Sequence, residues 1–169
     1  MPSPSQEWLR GMQPRVKTPL IVVDMQDAFL EHMLHWRDRY VAQVTRQVKR
    51  ARKQERPIVA LRYWNCGPVV RPIREVVANY EFGVTKTKRE NNGSKEVIEA
   101  LRELKVDTKW VSVCGVNMSH CVQETIEGLT KRGFFVRAIG SSIRDTSCAL
   151  AIPDQRYLKN FSPGAVRLV

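Results

Sequence analysis

Three residues of this 169-residue chain could act together as reacting groups: the carboxyl of Asp24, the amine of Lys86 and the thiol of Cys121. Each stands just after an apolar run. Asp24 closes Pro19-Leu20-Ile21-Val22-Val23, Lys86 closes Phe82-Gly83-Val84-Thr85, and Cys121 follows the turn that leaves Trp110-Val111-Ser112-Val113-Cys114. With Ser119 as N-cap, Cys121 falls in the first turn of a helix. Backbone N–H groups there lack intrahelical acceptors and the dipole favours negative charge, which biases a thiol toward thiolate. A carboxylate could take the thiol proton while an ammonium stabilises the thiolate and keeps the carboxylate ionised. Taken singly, Asp24 also reads as a cap, Lys86 with Lys88 and Arg89 as a solvated turn, and Cys121 as a small buried apolar residue.

The elements that position these residues follow from hydrophobic period. Strands are predicted at 19–24, 58–61, 82–86, 110–114, 134–139 and 165–168. Helices are predicted between them: 40–51, where Val41, Val44, Val48 and Ala51 recur at helical spacing; 72–78, opened by Pro72; one marked by Val97, Leu101 and Leu104; 119–132; and 147–160. Six strands and five helices in alternation call for an α/β fold, a three-layer α/β/α doubly wound arrangement with a six-stranded, mainly parallel sheet. In such a sheet ligands bind beyond the carboxyl ends of the strands. Asp24, Lys86 and the segment from Gly115 to Cys121 all emerge there, from strands one, three and four.

Residues 1–18, with Pro2, Pro4 and Pro14, read as a flexible lead-in, and 19–169 as one domain. The chain has no apolar stretch near the ~18 to 20 residues a membrane span needs and no apolar leader, so a membrane or exported protein is not expected. The four cysteines form no metal-site spacing and read as reduced thiols of a cytoplasmic protein. Cys114 is expected in the core, Cys148 in the last helix, and Cys66 in a loop at the pocket mouth. The net charge of +11 suits a polyanion, an acidic substrate or a solvated surface. Eight of the basic residues fall between Arg37 and Arg56, but aromatic residues to stack on bases are scarce there, so nucleic acid is not expected as a partner.

The motifs resemble the isochorismatase-like cysteine hydrolases, whose members include nicotinamidases and N-carbamoylsarcosine amidases. Leu20-Ile21-Val22-Val23-Asp24-Met25-Gln26-Asp27-Ala28-Phe29 is similar to the family's opening hydrophobic-Asp-Met-Gln-x-x-Phe motif, and Gly115-Val116-Asn117-Met118-Ser119-His120-Cys121-Val122 to its Gly-Val-x-x-x-x-Cys-Val motif. The resemblance implies Asp24 as general acid/base, Cys121 as nucleophile and Lys86 as the triad lysine. It further implies a cis bond between Val116 and Asn117, an oxyanion hole from the amides of Asn117 and Cys121, and a homo-oligomer. Phe29, Trp64 and Asn91 are candidate pocket residues. Zinc-binding amidases of the family carry an Asp and two His after strand two, whereas Trp64-Asn65-Cys66-Gly67-Pro68 has no histidine, and His32 with His35 lack a further ligand. No metal or other cofactor is therefore expected. The implied activity is hydrolysis of a small amide or carbamoyl C–N bond through a thioester. The alternative is a catalytically weak or inactive family fold that binds or scaffolds an anionic partner.

Overall fold

The computed structural model describes residues 17–147 and 152–169. Six strands form one sheet in the order β3-β2-β1-β4-β5-β6, and every neighbouring pair is parallel. They are β1 (Leu20–Val23), β2 (Ile58–Tyr63), β3 (Gly83–Lys88), β4 (Trp110–Gly115), β5 (Phe135–Ile143) and β6 (Val166–Leu168). The helices are α1 (Asp27–Leu30), α2 (Arg37–Lys53), α3 (Arg71–Ala78), α4 (Ser94–Glu103), α5 (Gln123–Lys131) and α6 (Gln155–Leu158), with a 3-10 stretch over Glu31–Trp36. The expected doubly wound α/β architecture is the one observed. No helix among the described residues is long and apolar enough to cross a membrane.

Because alternate residues of a strand face opposite ways, a parallel sheet sandwiched by helices buries both faces, and the strands read as continuous apolar runs. One core lies under α2 and α3, where Leu20, Val22, Ile58 and Ala60 meet Val44, Val48 and Ile73. The other lies under α4, α5 and α6, where Ile21, Val23, Val59 and Leu61 meet Val97, Leu101, Ile126 and Tyr157. The chain order reverses between β1 and β4, so their carboxyl ends diverge into separate loops and open a crevice at that point.

Three differences from the expected elements bear on the site. β2 and β3 each run two residues further than their apolar cores, to Tyr63 and Lys88. The segment expected to be helical from Ser119 begins instead as a π-helical turn over Met118–Val122, before α5. Ser119 therefore lies inside the turn and is not its N-cap. Among the described residues of the expected 147–160 helix only α6 is helical, its first turn capped by the Asp154 side chain; Cys148 lies outside the described residues.

Candidate active site

β1 delivers Asp24 to the carboxyl edge at the reversal point, where its φ of 49° turns the chain sharply out of the sheet. Gly115 ends β4 alongside with φ 121°, and a Cβ there would stand 2.1 Å from the Val23 carbonyl oxygen. Only glycine lets the two strand ends approach this closely. The Val116–Asn117 peptide bond that follows is cis, as the resemblance implied. The π-helical turn then brings Cys121 back over the edge, 3% exposed.

Asp24 meets Lys88, not Lys86. Nζ of Lys88 lies 2.8 Å from Oδ2 of Asp24, and both side chains are wholly excluded from solvent. The Lys88 ammonium also donates to the carbonyls of Glu90, at 3.0 Å, and Asn91, at 3.3 Å, and sits over the Tyr63 ring. The assignment of Lys86 is thus corrected. Its amine reaches sideways to Glu103 on α4, because in the sheet it is level with Leu61, inside the strand, whereas Lys88 is level with Tyr63 at the edge.

Burial raises the Asp24 carboxyl above its ordinary value, an effect only partly offset by the Lys88 charge and by hydrogen bonding from Lys88 and Cys121. Burial also pushes the Cys121 thiol up to about 12, and the Asp24 charge reinforces this while Lys88 opposes it. The thiolate bias expected from a helix N-terminus is therefore overridden: desolvation and an adjacent carboxylate disfavour the anion more than the turn favours it. The resting group is a thiol, with Asn91 Oδ1 3.6 Å from Sγ as a second acceptor beside Asp24.

A pocket of about 390 Å³ opens over Cys121, lined by Phe29, Tyr63, Cys66, Asn91, Asn117 and further residues of the 117–121 and 145–147 segments. Of the candidate pocket residues, Phe29 and Asn91 line this pocket. Trp64 does not: it is 52% exposed, under the Arg89 guanidinium, because strand alternation turns Tyr63 inward and Trp64 outward. Among the described residues Asp145 is the lining's one acid and the lining has no lysine or arginine, so the basic surface that made an acidic substrate attractive is not seen to extend into it.

Several supporting residues were not anticipated. The fully buried Gln26 donates to the carbonyls of Tyr63 and Gly67 and accepts from the Tyr63 N–H, which fixes the loop after β2 to the loop after β1. Thr125 on α5 accepts from the Gly93 N–H and donates to the Asn91 carbonyl, while Glu124 accepts from the Asn91 amide, so the cysteine-bearing segment holds the 89–93 loop. The Ser119 hydroxyl donates to Asp145, and Asn117 Oδ1 accepts from both the N–H and hydroxyl of Thr146. Polar residues of this kind carry no periodic signal, and only the long-range pairing reveals them.

The isochorismatase domain model matches residues 18–149, and the chain belongs to that family, whose members act as hydrolases on amide, carbon–nitrogen or related bonds. Comparison with curated proteins gives no match. Among solved structures, the fold is similar to N-carbamoylsarcosine amidase from Thermoplasma acidophilum, at 16% identity over 90% of this chain and 95% of that one, with a TM-score of 0.67. It is similar to the pyrazinamidase of Pyrococcus horikoshii in complex with zinc, at 23% identity over 90% and 98% of the chains and a TM-score of 0.64. The YcaC gene product of Escherichia coli, an octameric hydrolase of unknown specificity, is similar at 14% identity over 90% and 74%, with a TM-score of 0.71. As to zinc, no group of three or more His, Cys, Asp or Glu side chains among the described residues could hold a metal ion. His32 lies beside Glu31 and His35 against Trp36, so the donor set does not fit that ion.

Proposed function

We propose that the protein hydrolyses the C–N bond of a small, uncharged or cationic amide or carbamoyl compound through a thioester on Cys121. The observation that carries this reading is the Asp24–Lys88 pair, wholly buried at 2.8 Å beside a cysteine at the mouth of a pocket. Two charges removed from water cost several kcal/mol each, and well-packed apolar residues of similar volume commonly match or exceed the stability of such a pair. A pair kept at the sheet edge, next to the Cys121 thiol, makes chemical sense as proton-transfer machinery.

In this mechanism Asp24 takes the thiol proton as Sγ attacks the carbonyl carbon, and the carbonyl electron pair moves onto oxygen. The raised carboxyl of Asp24 makes it a stronger base than an exposed aspartate, and Lys88 balances the charge as the proton moves. The N–H groups of Asn117 and Cys121 are the donors assigned to the oxyanion, each with a role commonly worth ~2.7 to 4 kcal/mol in the transition state. The carbonyl re-forms as the C–N bond breaks, and the proton on Asp24 passes to the departing nitrogen. Water then gives a proton to Asp24 and attacks the thioester; Sγ leaves and recovers that proton, and the acid is released. Asp145 and the side-chain amide of Asn91 face the substrate from the lining.

Intact-mass analysis after exposure to a panel of amides and ureas tests the reading. An acyl adduct mapped to Cys121 and absent from Cys121→Ala is the expected result, and hydrolysis that survives Cys121→Ala would overturn it. The octameric relative also supports self-association of this chain; light scattering that returns the 19.5 kDa monomer mass would remove that part.

A further inference from the structure

Away from the catalytic edge, near the amino ends of β4, β5 and β6, the sheet face shared with α2 carries aromatic and basic side chains in register. Trp110 pairs with Phe135, and Ser112 with Arg137, which in turn pairs with Arg167. Ser112 pairs also with Leu20, which lies in the core under α2, so this row belongs to that face. Beneath α2 the face is apolar and buried; here Phe135 is 43% exposed and Arg137 and Arg167 are exposed. The Trp110 and Phe135 rings stack at 5.0 Å and 25°, with the guanidinium carbons of Arg137 and Arg167 at 5.3 and 5.7 Å from the Trp110 centroid.

Arg56 extends the row by donating to Ser112 Oγ at 2.8 Å and to the Thr18 carbonyl at 2.6 Å. Burial, then the like charges of Arg137 and Arg50, hold Arg56 below its usual value. Among the described residues none of Arg50, Arg56, Arg137 and Arg167 pairs with a carboxylate. Two guanidiniums on a part-exposed aromatic stack, with Arg56 and Arg50 next in the row, carry two costs, like-charge repulsion and wetted apolar surface.

We propose that this β4–β5–β6 face is a binding platform for single-stranded nucleic acid, with phosphates paired to the arginines and a base stacked on the Phe135–Trp110 pair. Anionic backbone and flat base together relieve both costs, the combination by which sequence-tolerant single-strand sites work. A second copy of the chain fits poorly, because two-fold packing would set the cationic row against itself. A duplex keeps its bases stacked inside and offers the aromatics nothing. The basic helix α2 lacks aromatics of its own; the strands supply them, and that juxtaposition could not be seen along the chain. The platform is independent of the hydrolase site.

The test is fluorescence anisotropy of the full chain with a labelled oligouridine of about 20 nucleotides, run against salt. Neutralising three to four phosphates predicts a log–log salt slope of roughly −2 to −3. Phe135→Ala, at an exposed position, should weaken binding about tenfold with the thermal midpoint held. Arg137→Glu with Arg167→Glu should abolish it, while amide hydrolysis is unchanged. The proposal is overturned by a flat salt response, by heparin competing as well as oligouridine, by Phe135→Ala binding at full strength, or by Arg137→Glu altering self-association in place of oligonucleotide binding.

Discussion

A strand advances about 3.3 Å per residue, so two lysines on one face of β3, separated by a single residue, differ by about 6.6 Å in how far they reach toward the crevice. That distance separates a surface pair with Glu103 from a buried pair with Asp24. Lys88→Met should therefore lower kcat/KM by about 10²- to 10⁴-fold, the usual worth of assisted proton transfer, whereas Lys86→Ala should change it by less than about threefold. Equal losses in the two variants would return the assignment to Lys86. The apolar run Val84-Thr85 marked the strand but not its end, because a lysine such as Lys88 has no hydropathy to show that it is buried. Asp24 and Cys121 were legible since their motifs are local. The state of the thiol was not, since it depends on neighbours contributed by β1 and β3. With Cys121 pushed up to about 12, its alkylation by iodoacetamide should be slower at pH 7 than that of a free thiol and should climb through pH 9 to 11. A plateau by pH 8, read by peptide mass mapping, would mean the thiolate already dominates there.

At the level of elements, the site depends on how β4 parts from its neighbours. Val113 pairs with Ala138, but Gly115 pairs with Ile143, so β5 is irregular beside the reversal point. The buried Tyr40 hydroxyl spans this irregularity from α2, facing the carbonyls of Gly115 at 2.8 Å and Ser142 at 3.1 Å. Tyr40→Phe leaves both carbonyls without that donor and should cost about 1 to 3 kcal/mol, read as a lower midpoint in urea at unchanged slope. Gly115→Ala meets the Val23 carbonyl and a φ that a side chain resists; a loss of about 3 kcal/mol, or roughly 6 to 12 °C in Tm, is expected. An unshifted Tm would mean that the two strand ends can part without penalty. Six apolar runs and their spacing made the sheet legible, because burial on both faces is a statement about composition. The π-helical turn, the β5 irregularity and the Tyr40 contact escape such reading, since each is fixed by what another element places opposite it.

Over the whole molecule, a charge of +11 does not act uniformly. Among the described residues the pocket lining holds Asp145 and no lysine or arginine, while Arg137 and Arg50 crowd Arg56 near the opposite end of the sheet. Repulsion within such a cluster opposes the compact state, and mobile ions weaken it over a Debye length of about 10 Å at 0.1 M salt. Raising sodium chloride from about 20 mM to about 500 mM should accordingly raise Tm, the reverse of what exposed ion pairs alone would give. Arg137→Gln, at an exposed position, should raise Tm at low salt by a degree or two and flatten the rise with added salt, since it removes one like charge without emptying core volume. A Tm that falls with salt would show that attractive pairs such as Arg37 with Asp27 outweigh the arginine cluster. If the variant gains stability while losing its affinity for oligouridine, the repulsion is a cost the fold carries for the sake of the anion that relieves it.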